Sequence, residues 1–218
     1  VTRALLVDLG KVLVGFDHQV TCDRLAEVTG VPAARLRPVL FGELEVAFDR
    51  GLLAPAEFFR ACEERTGLPR LPDDVWVGAW RDIFHPIPEA IAALSRVRRG
   101  IRRVLVSNTN ELHWDGVLRV FEPHGLLDAV VLSFRVGAVK PDPAFWDAAL
   151  AAAGCEPRDC LYADDRPELV AAAAELGIPG FAVEGPGALA AGLARRGLLA
   201  PPGTPPGNSE AAPDVRLS

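Results

Sequence analysis

Five short apolar runs frame this chain: Ala4–Val7, Val104–Val106, Val130–Leu132, Leu161–Ala163 and Phe181–Val183. Each is too short for a helix, and none alternates apolar with polar residues. Unbroken runs of this kind suit strands whose two faces are both covered, as in a parallel sheet between helices. Helix signals separate the later runs. Asp142-Pro143 opens a helix with a capping residue and a proline at the first helical position, and Gly154 closes it. The Ala-rich run from Glu168 to Leu176 is closed by Gly177 in the same way. This alternation, with right-handed crossovers, predicts an α/β fold: a Rossmann-like, three-layer α/β/α core with an open, doubly wound parallel sheet.

Four of the five runs are followed at once by an Asp or a Ser: Asp8, Ser107, Ser133 and Asp164. Open parallel sheets bind ligands beyond the carboxyl ends of their strands, so Asp8 and Asp164 are expected to meet on one edge. Two adjacent carboxylates repel unless they share a cation or a proton. Hard oxygen donors in small number suit Mg²⁺, which keeps waters and leaves room for a phosphate. Lys140, in the loop after the third run, could balance the charge of a phosphoryl group.

The stretch from Phe16 to Pro88 has no convincing strand. Helical pieces end at Gly30, Gly51 and Gly67, and Pro32, Pro38 and Pro55 punctuate it. The expected organisation is a core of residues 1–15 and 89–200, a helical cap of residues 16–88, and a disordered tail of residues 201–218, rich in Pro, Gly and small polar residues. A length of 218 residues suits such a core with an insertion. Lys plus Arg total 23 against 29 Asp plus Glu, a net charge of -6. That balance argues against nucleic acid or an anionic membrane as partner. No apolar run is long enough to span a bilayer. Asp8 also interrupts the first apolar stretch too early for a signal peptide, so a cytoplasmic location is expected. Cys22, Cys62, Cys155 and Cys160 form no CxxC pair and have no zinc-spaced histidine, and read as reduced, mostly buried thiols. Trp76, Trp80 and Phe84 recur at helical spacing and read as the core of a helix bundle. His18, His85, His113 and His124 are scattered and receive no catalytic role, while Phe16 and Asp17 fall where the chain should enter the cap.

Asp8-Leu9-Gly10-Lys11-Val12-Leu13, Ser107-Asn108-Thr109-Asn110, Lys140-Pro141 and Asp164-Asp165 resemble, in order and context, the four motifs of the haloacid dehalogenase-like hydrolase superfamily. Each motif is weak alone; four in order on the expected elements are specific. The insertion is similar to the helical cap of class I members (subfamily IA). The resemblance runs from Arg3 to Glu184, and extends to the bacterial α-D-glucose-1-phosphate phosphatase group and the phosphatase domain of soluble epoxide hydrolases.

The resemblance implies a role for each motif. Asp8 would be the nucleophile, forming an aspartyl-phosphate that water hydrolyses. Ser107 and Asn108 would hold phosphate oxygens, and Lys140 would bridge Asp8 and the phosphate. Mg²⁺ would be held by Asp8, the Gly10 carbonyl, Asp164 and Asp165. Asp165 reads equally well as a helix N-cap answered by Glu168. Asn110 would be structural or face the substrate. Gly10 departs from the pattern, which usually has a second Asp there to protonate the leaving oxygen and then activate water. Acid–base help of that kind is typically worth roughly 10²–10⁴-fold. Three readings follow: a substrate with a better leaving group, such as a sugar 1-phosphate; a proton from another group or water; or a catalytically impaired binding or regulatory protein. The expected function is a Mg²⁺-dependent phosphatase, monomeric or homodimeric, acting on a small phosphorylated metabolite such as a sugar phosphate. The alternative enzyme is a haloacid dehalogenase, which attacks carbon without a metal. Uncompensated carboxylates at Asp164-Asp165 would repel that substrate's own carboxylate.

Overall fold

The computed structural model describes residues 1–201. The expected tail lies, from residue 202 onward, outside the described residues. In chain order, β1 (Ala4–Val7) and β2 (Val14–Phe16) lead into five helices: α1 (His18–Thr29), α2 (Ala33–Leu40), α3 (Glu43–Asp49), α4 (Pro55–Thr66) and α5 (Asp73–Arg81). The chain continues through β3 (Phe84–Pro86), α6 (Pro88–Ser95), β4 (Arg102–Ser107), α7 (Glu111–Leu118), β5 (Ala129–Leu132) and α8 (Ser133–Val136). Next come α9 (Pro143–Ala153), β6 (Cys160–Asp164), α10 (Pro167–Glu175), β7 (Gly180–Ala182) and α11 (Ala188–Arg195). No helix among the described residues is long and apolar enough to cross a membrane.

Each of the five apolar runs lies in or overlaps a strand of one parallel sheet, ordered β5-β4-β1-β6-β7. β1 is central, and all four of its residues are fully buried. Leu5 and Val7 face a cluster with Leu94, Leu189 and Leu193, while Ala4 and Leu6 face Phe145, Trp146, Ala149 and Ala173 on the other side. Burying one such aliphatic side chain is worth about 1.5–3 kcal/mol, which is why a strand covered on both faces is apolar throughout. After β1 the chain adds β4 and β5 on one flank, then crosses over to add β6 and β7 on the other. That reversal opens a crevice at the carboxyl end of β1.

Helices α1–α5 close around a core of their own, in which Leu25, Phe48, Phe58, Trp76 and Trp80 are buried. The rings of Phe59 and Trp76 stack with centroids 5.3 Å apart. Trp76 and Trp80 are therefore bundle core. Phe84 is not: it lies in β3 and packs on the core domain's cluster. β2 and β3 pair antiparallel, Phe16 opposite Phe84, where the chain enters and leaves the helical region. β3 and the last residue of β2 fall in the stretch read as strandless. Both strands are three residues long, one contains Pro86, and no tight turn joins them, so neither hairpin nor alternation signals mark them.

Candidate active site

β1, β4 and β6 are adjacent and parallel, so their carboxyl ends deliver Asp8, Ser107 and Asp164 to one place. Asp8 is 7% and Asp164 0% exposed. Lys140 reaches them from the loop between α8 and α9. Its Nζ donates to Asp8 Oδ1 at 2.6 Å and to Asp164 Oδ2 at 2.7 Å, with the Val106 carbonyl and the Tyr162 hydroxyl each at 3.1 Å. The Tyr162 hydroxyl in turn donates to Asp164 Oδ2. Asp165, half-buried, completes the group: one oxygen from each of Asp8, Asp164 and Asp165 lies within 4.8 Å of the others. The expected convergence of Asp8, Asp164 and Lys140 is present.

The remaining candidate residues divide into cavity lining and bracing. Ser107 is buried and lines the cavity, and its hydroxyl makes only a long contact, 3.4 Å, to the Asn108 carbonyl. Asn108, a phosphate-holding candidate, uses its side chain to clasp the Lys140 backbone and leaves its own N–H free among the described residues. Oδ1 accepts from Lys140 N at 2.7 Å, and Nδ2 donates to the Lys140 carbonyl at 3.1 Å. Its amide thus fixes the loop that carries the lysine. The backbone N–H groups of Leu9, Gly10 and Asn108 have no acceptor among the described residues. Ser133 is a brace: its Oγ accepts from Thr109 N and donates to the Thr109 carbonyl, both at 2.8 Å. Asn110 is structural, capping α7 by accepting from His113 N at 3.0 Å and meeting Trp80 Nε1 at 3.3 Å. Asp165 does not cap a helix. The N-cap of α10 is Arg166, whose own N–H bonds Asp164 Oδ1 and whose guanidinium holds Glu168.

Burial pushes the Asp8 carboxyl up to about 7; Lys140 pulls against it, and Asp164 and Asp165 add to it. Burial works against the Lys140 charge, but Asp8 and Asp164 outweigh it and hold the ammonium above its usual range. Burial and then Asp164 raise Asp165. One ammonium among three clustered carboxylates leaves negative charge uncompensated in a desolvated site. A hard divalent cation such as Mg²⁺ fits this oxygen donor set.

Gly10 leaves no room for the missing acid. A Cβ built there would lie 2.8 Å from Cε1 of Phe16, whose ring occupies that space. Phe16 lines the cavity, whereas Asp17 caps α1 by accepting from Gln19 N at 2.8 Å. The cavity, about 490 Å³, extends from Asp8 to His18 of α1 and to Glu45 and Asp49 of α3, and also touches Phe84 and His113. Sequence reasoning missed Tyr162, Glu45, Asp49 and the two histidines. Tyr162 carried a usable signal, two residues before Asp164 on the same strand face. The cap residues carried none, because an acid on a short helix ordinarily faces solvent.

Residues 15–177 match the family of haloacid dehalogenase-like hydrolases. Over 110 residues the chain is 33% identical to Phosphatase MT3486 of Mycobacterium tuberculosis, covering 50% of this chain and 51% of that protein. Over 62 residues it is 40% identical to flavin mononucleotide hydrolase 1 of Arabidopsis thaliana, covering 28% of this chain and 25% of that one. The chain thus spans about half, or less, of the length of these relatives. Among solved structures it is similar to a HAD family enzyme, bt-2542 of Bacteroides thetaiotaomicron, with a TM-score of 0.75 and 24% identity, covering 84% of this chain and 94% of that one. A variant of that enzyme in complex with magnesium and inorganic phosphate superposes with a TM-score of 0.74 at 25% identity.

Proposed function

Because the chain belongs to the haloacid dehalogenase-like hydrolase family, we propose that it is a Mg²⁺-dependent phosphoric monoester hydrolase. Its substrate in this reading is a small phosphorylated metabolite, a sugar phosphate foremost. The observation that carries the reading is the buried Lys140 ammonium held between Asp8 and Asp164, with Asp165 beside them. The phosphatase and flavin mononucleotide hydrolase among its relatives support it, as does the neighbour crystallised with magnesium and phosphate.

Asp8 is the nucleophile. Lys140 holds its Oδ1 and leaves the second oxygen for attack. As the Asp8 oxygen bonds to phosphorus, the ester P–O bond breaks, and water then hydrolyses the aspartyl-phosphate. The Ser107 hydroxyl and the free N–H groups of Leu9, Gly10 and Asn108 receive the phosphoryl oxygens. Lys140, which lines the cavity beside Asp8, offsets their charge. Asp8, Asp164, Asp165 and the Gly10 carbonyl would hold the metal. When bound, Mg²⁺ supplies the positive charge that neutralises the acid cluster and the phosphoryl oxygens together. The cap walls the other side of the cavity and limits water around the reacting atoms. With Phe16 in place of an acid beside Gly10, no side chain at position 10 protonates the leaving oxygen. A leaving group that departs readily as the anion suits such a site, and the anomeric oxygen of a sugar 1-phosphate is of that kind.

Phosphate release with Mg²⁺, with EDTA and in Asp8→Asn tests the reading. EDTA and the substitution are each expected to lower the rate by more than roughly 10³-fold, and anomeric phosphates should outrun alkyl phosphate esters. EDTA-resistant halide release from a haloacid would replace this function with the dehalogenase one. A wild-type protein inert toward a broad panel of phosphate esters would favour a binding role.

A further inference from the structure

The cavity wall facing Asp8 belongs to the cap and has chemistry of its own. Glu45 and Asp49 stand one turn apart on α3 and both line the cavity. Asp49 Oδ1 accepts from Asn110 Nδ2 at 2.8 Å. The Glu45 carboxyl makes no hydrogen bond among the described residues; His18 stands 3.8 Å away, beyond hydrogen-bond reach, and Arg37 acts on Glu45 through its charge alone. His113 lines the same cavity; its residue is 6% exposed, and its Nε2 is buried with no partner. Buried polar groups are nearly always paired, so this much unused hydrogen-bonding capacity around one cavity points to a ligand.

The charges sort by side. Lys140 is committed to Asp8 and Asp164, Arg166 pairs with Glu168, and Lys11 lies over the Phe16 ring. Arg37 of α2 acts on both Glu45 and His18, and Lys11, exposed at the same cavity, acts on His18 as well. Burial pushes Glu45 up to about 8, with Asp49 adding to the effect and Arg37 opposing it; burial also pushes Asp49 up to about 7. His18 falls to about 4 through burial, helped by Arg37 and Lys11. At neutral pH the wall therefore offers carboxyls and neutral imidazoles.

We propose that Glu45, Asp49 and His113 form the leaving-group subsite, and that it selects phosphate esters whose alcohol portion is uncharged and rich in hydroxyls while rejecting esters with a second anionic group. The proposal rests on the phosphatase reading of the same cavity. Hydroxyls donate to carboxyl oxygens, and they accept from a protonated carboxyl and from the His113 Nε2–H, because Asn110 Nδ2 donates to His113 Nδ1 at 3.2 Å. A second phosphate or a carboxylate would be desolvated against acids, and among the described residues lining the cavity the one buried cation, Lys140, is already committed to Asp8 and Asp164.

Steady-state kinetics with Mg²⁺ on three substrates tests it: p-nitrophenyl phosphate, a neutral hexose or polyol monophosphate, and a bisphosphate or carboxylated analogue of the latter. In the wild type, kcat/KM for the neutral ester should exceed that for the anionic analogue by more than about tenfold. Glu45→Gln and Asp49→Asn should each raise KM for the neutral ester about tenfold more than for p-nitrophenyl phosphate, and Glu45→Lys should narrow or invert the preference. Equal or better turnover of the anionic ester by the wild type would overturn the proposal even if no variant folded. An equal loss on all three substrates in the folded variants would do the same. Failure of the underlying phosphatase reading looks different: wild-type protein that releases no phosphate even from p-nitrophenyl phosphate.

Discussion

At the scale of single residues, Lys140 decides whether the site holds together. Lysine is ordinarily solvated, and only Pro141 and the position after the third apolar run set this one apart in the sequence. In the fold it is 4% exposed and answers two carboxylates at once. Removing one member of such a buried group is expected to cost about 3–5 kcal/mol, because the rest stay buried and unpaired. Lys140→Met should therefore melt well below the wild type in EDTA and recover part of the loss when Mg²⁺ is added, since a cation bound to the native state stabilises it by mass action. Calorimetry with and without Mg²⁺ checks both halves; a variant as stable as wild type in EDTA would mean the carboxylates discharge by protonation alone. Position 10 is a contrasting case. The loss of a carboxyl was plain from Gly10, but that Phe16 occupies its place was not, because that contact forms only when β2 folds back beside the first motif.

Among the elements, α3 serves both the helical region and the cavity. Leu44 and Phe48 enter the cap interior, while Glu45 and Asp49 turn to the cavity. Just beyond its end, Arg50 pairs with Asp142 at 2.7 Å. Gly51 follows with a φ of 67°, and a Cβ there would lie 2.4 Å from the Phe134 carbonyl oxygen. Gly51→Ala combines left-handed backbone with a backbone clash and should destabilise by about 1–3 kcal/mol. Urea unfolding measures this, and a change under a few tenths of a kcal/mol would show that the α3–α8 approach relaxes freely. In the sequence Gly51 read simply as a helix stop. Its packing role needed the neighbouring Phe134, which belongs to the core. Asp142 likewise read as a helix cap; it is the N-cap residue by position, but its carboxylate serves Arg50 and Val139 N instead.

For the molecule as a whole, the cap–core cavity should leave its mark on stability against pH. The unfolded chain releases the Glu45 and Asp49 protons near their ordinary values of 4.5 and 3.8, whereas the folded protein holds them to about 8 and about 7. In that window the native state binds more protons, so stability falls as pH rises. His18 acts oppositely: below 6.5 the unfolded chain takes up a proton that the native state refuses until about 4, so stability falls as pH drops. From 6.5 to about 8 the raised carboxyls act without it. Thermal melts in EDTA across that range should decline more steeply for wild type than for Glu45→Gln, and parallel limbs would contradict the assignment.

By itself the sequence determined the parallel sheet and the edge that carries the chemistry. Five unbroken apolar runs admit few arrangements other than strands covered on both faces, and a polar residue directly after such a run has to stand at the strand's carboxyl end. Those are local regularities, with periods of a few residues. Tertiary structure alone decided what faces Asp8 across the cavity, how Asn108 and Tyr162 hold Lys140 and Asp164, and that β2 and β3 form a ribbon at the cap joint. Such contacts join residues distant in the chain. They follow from how two separately packed cores dock, which no short-range pattern records.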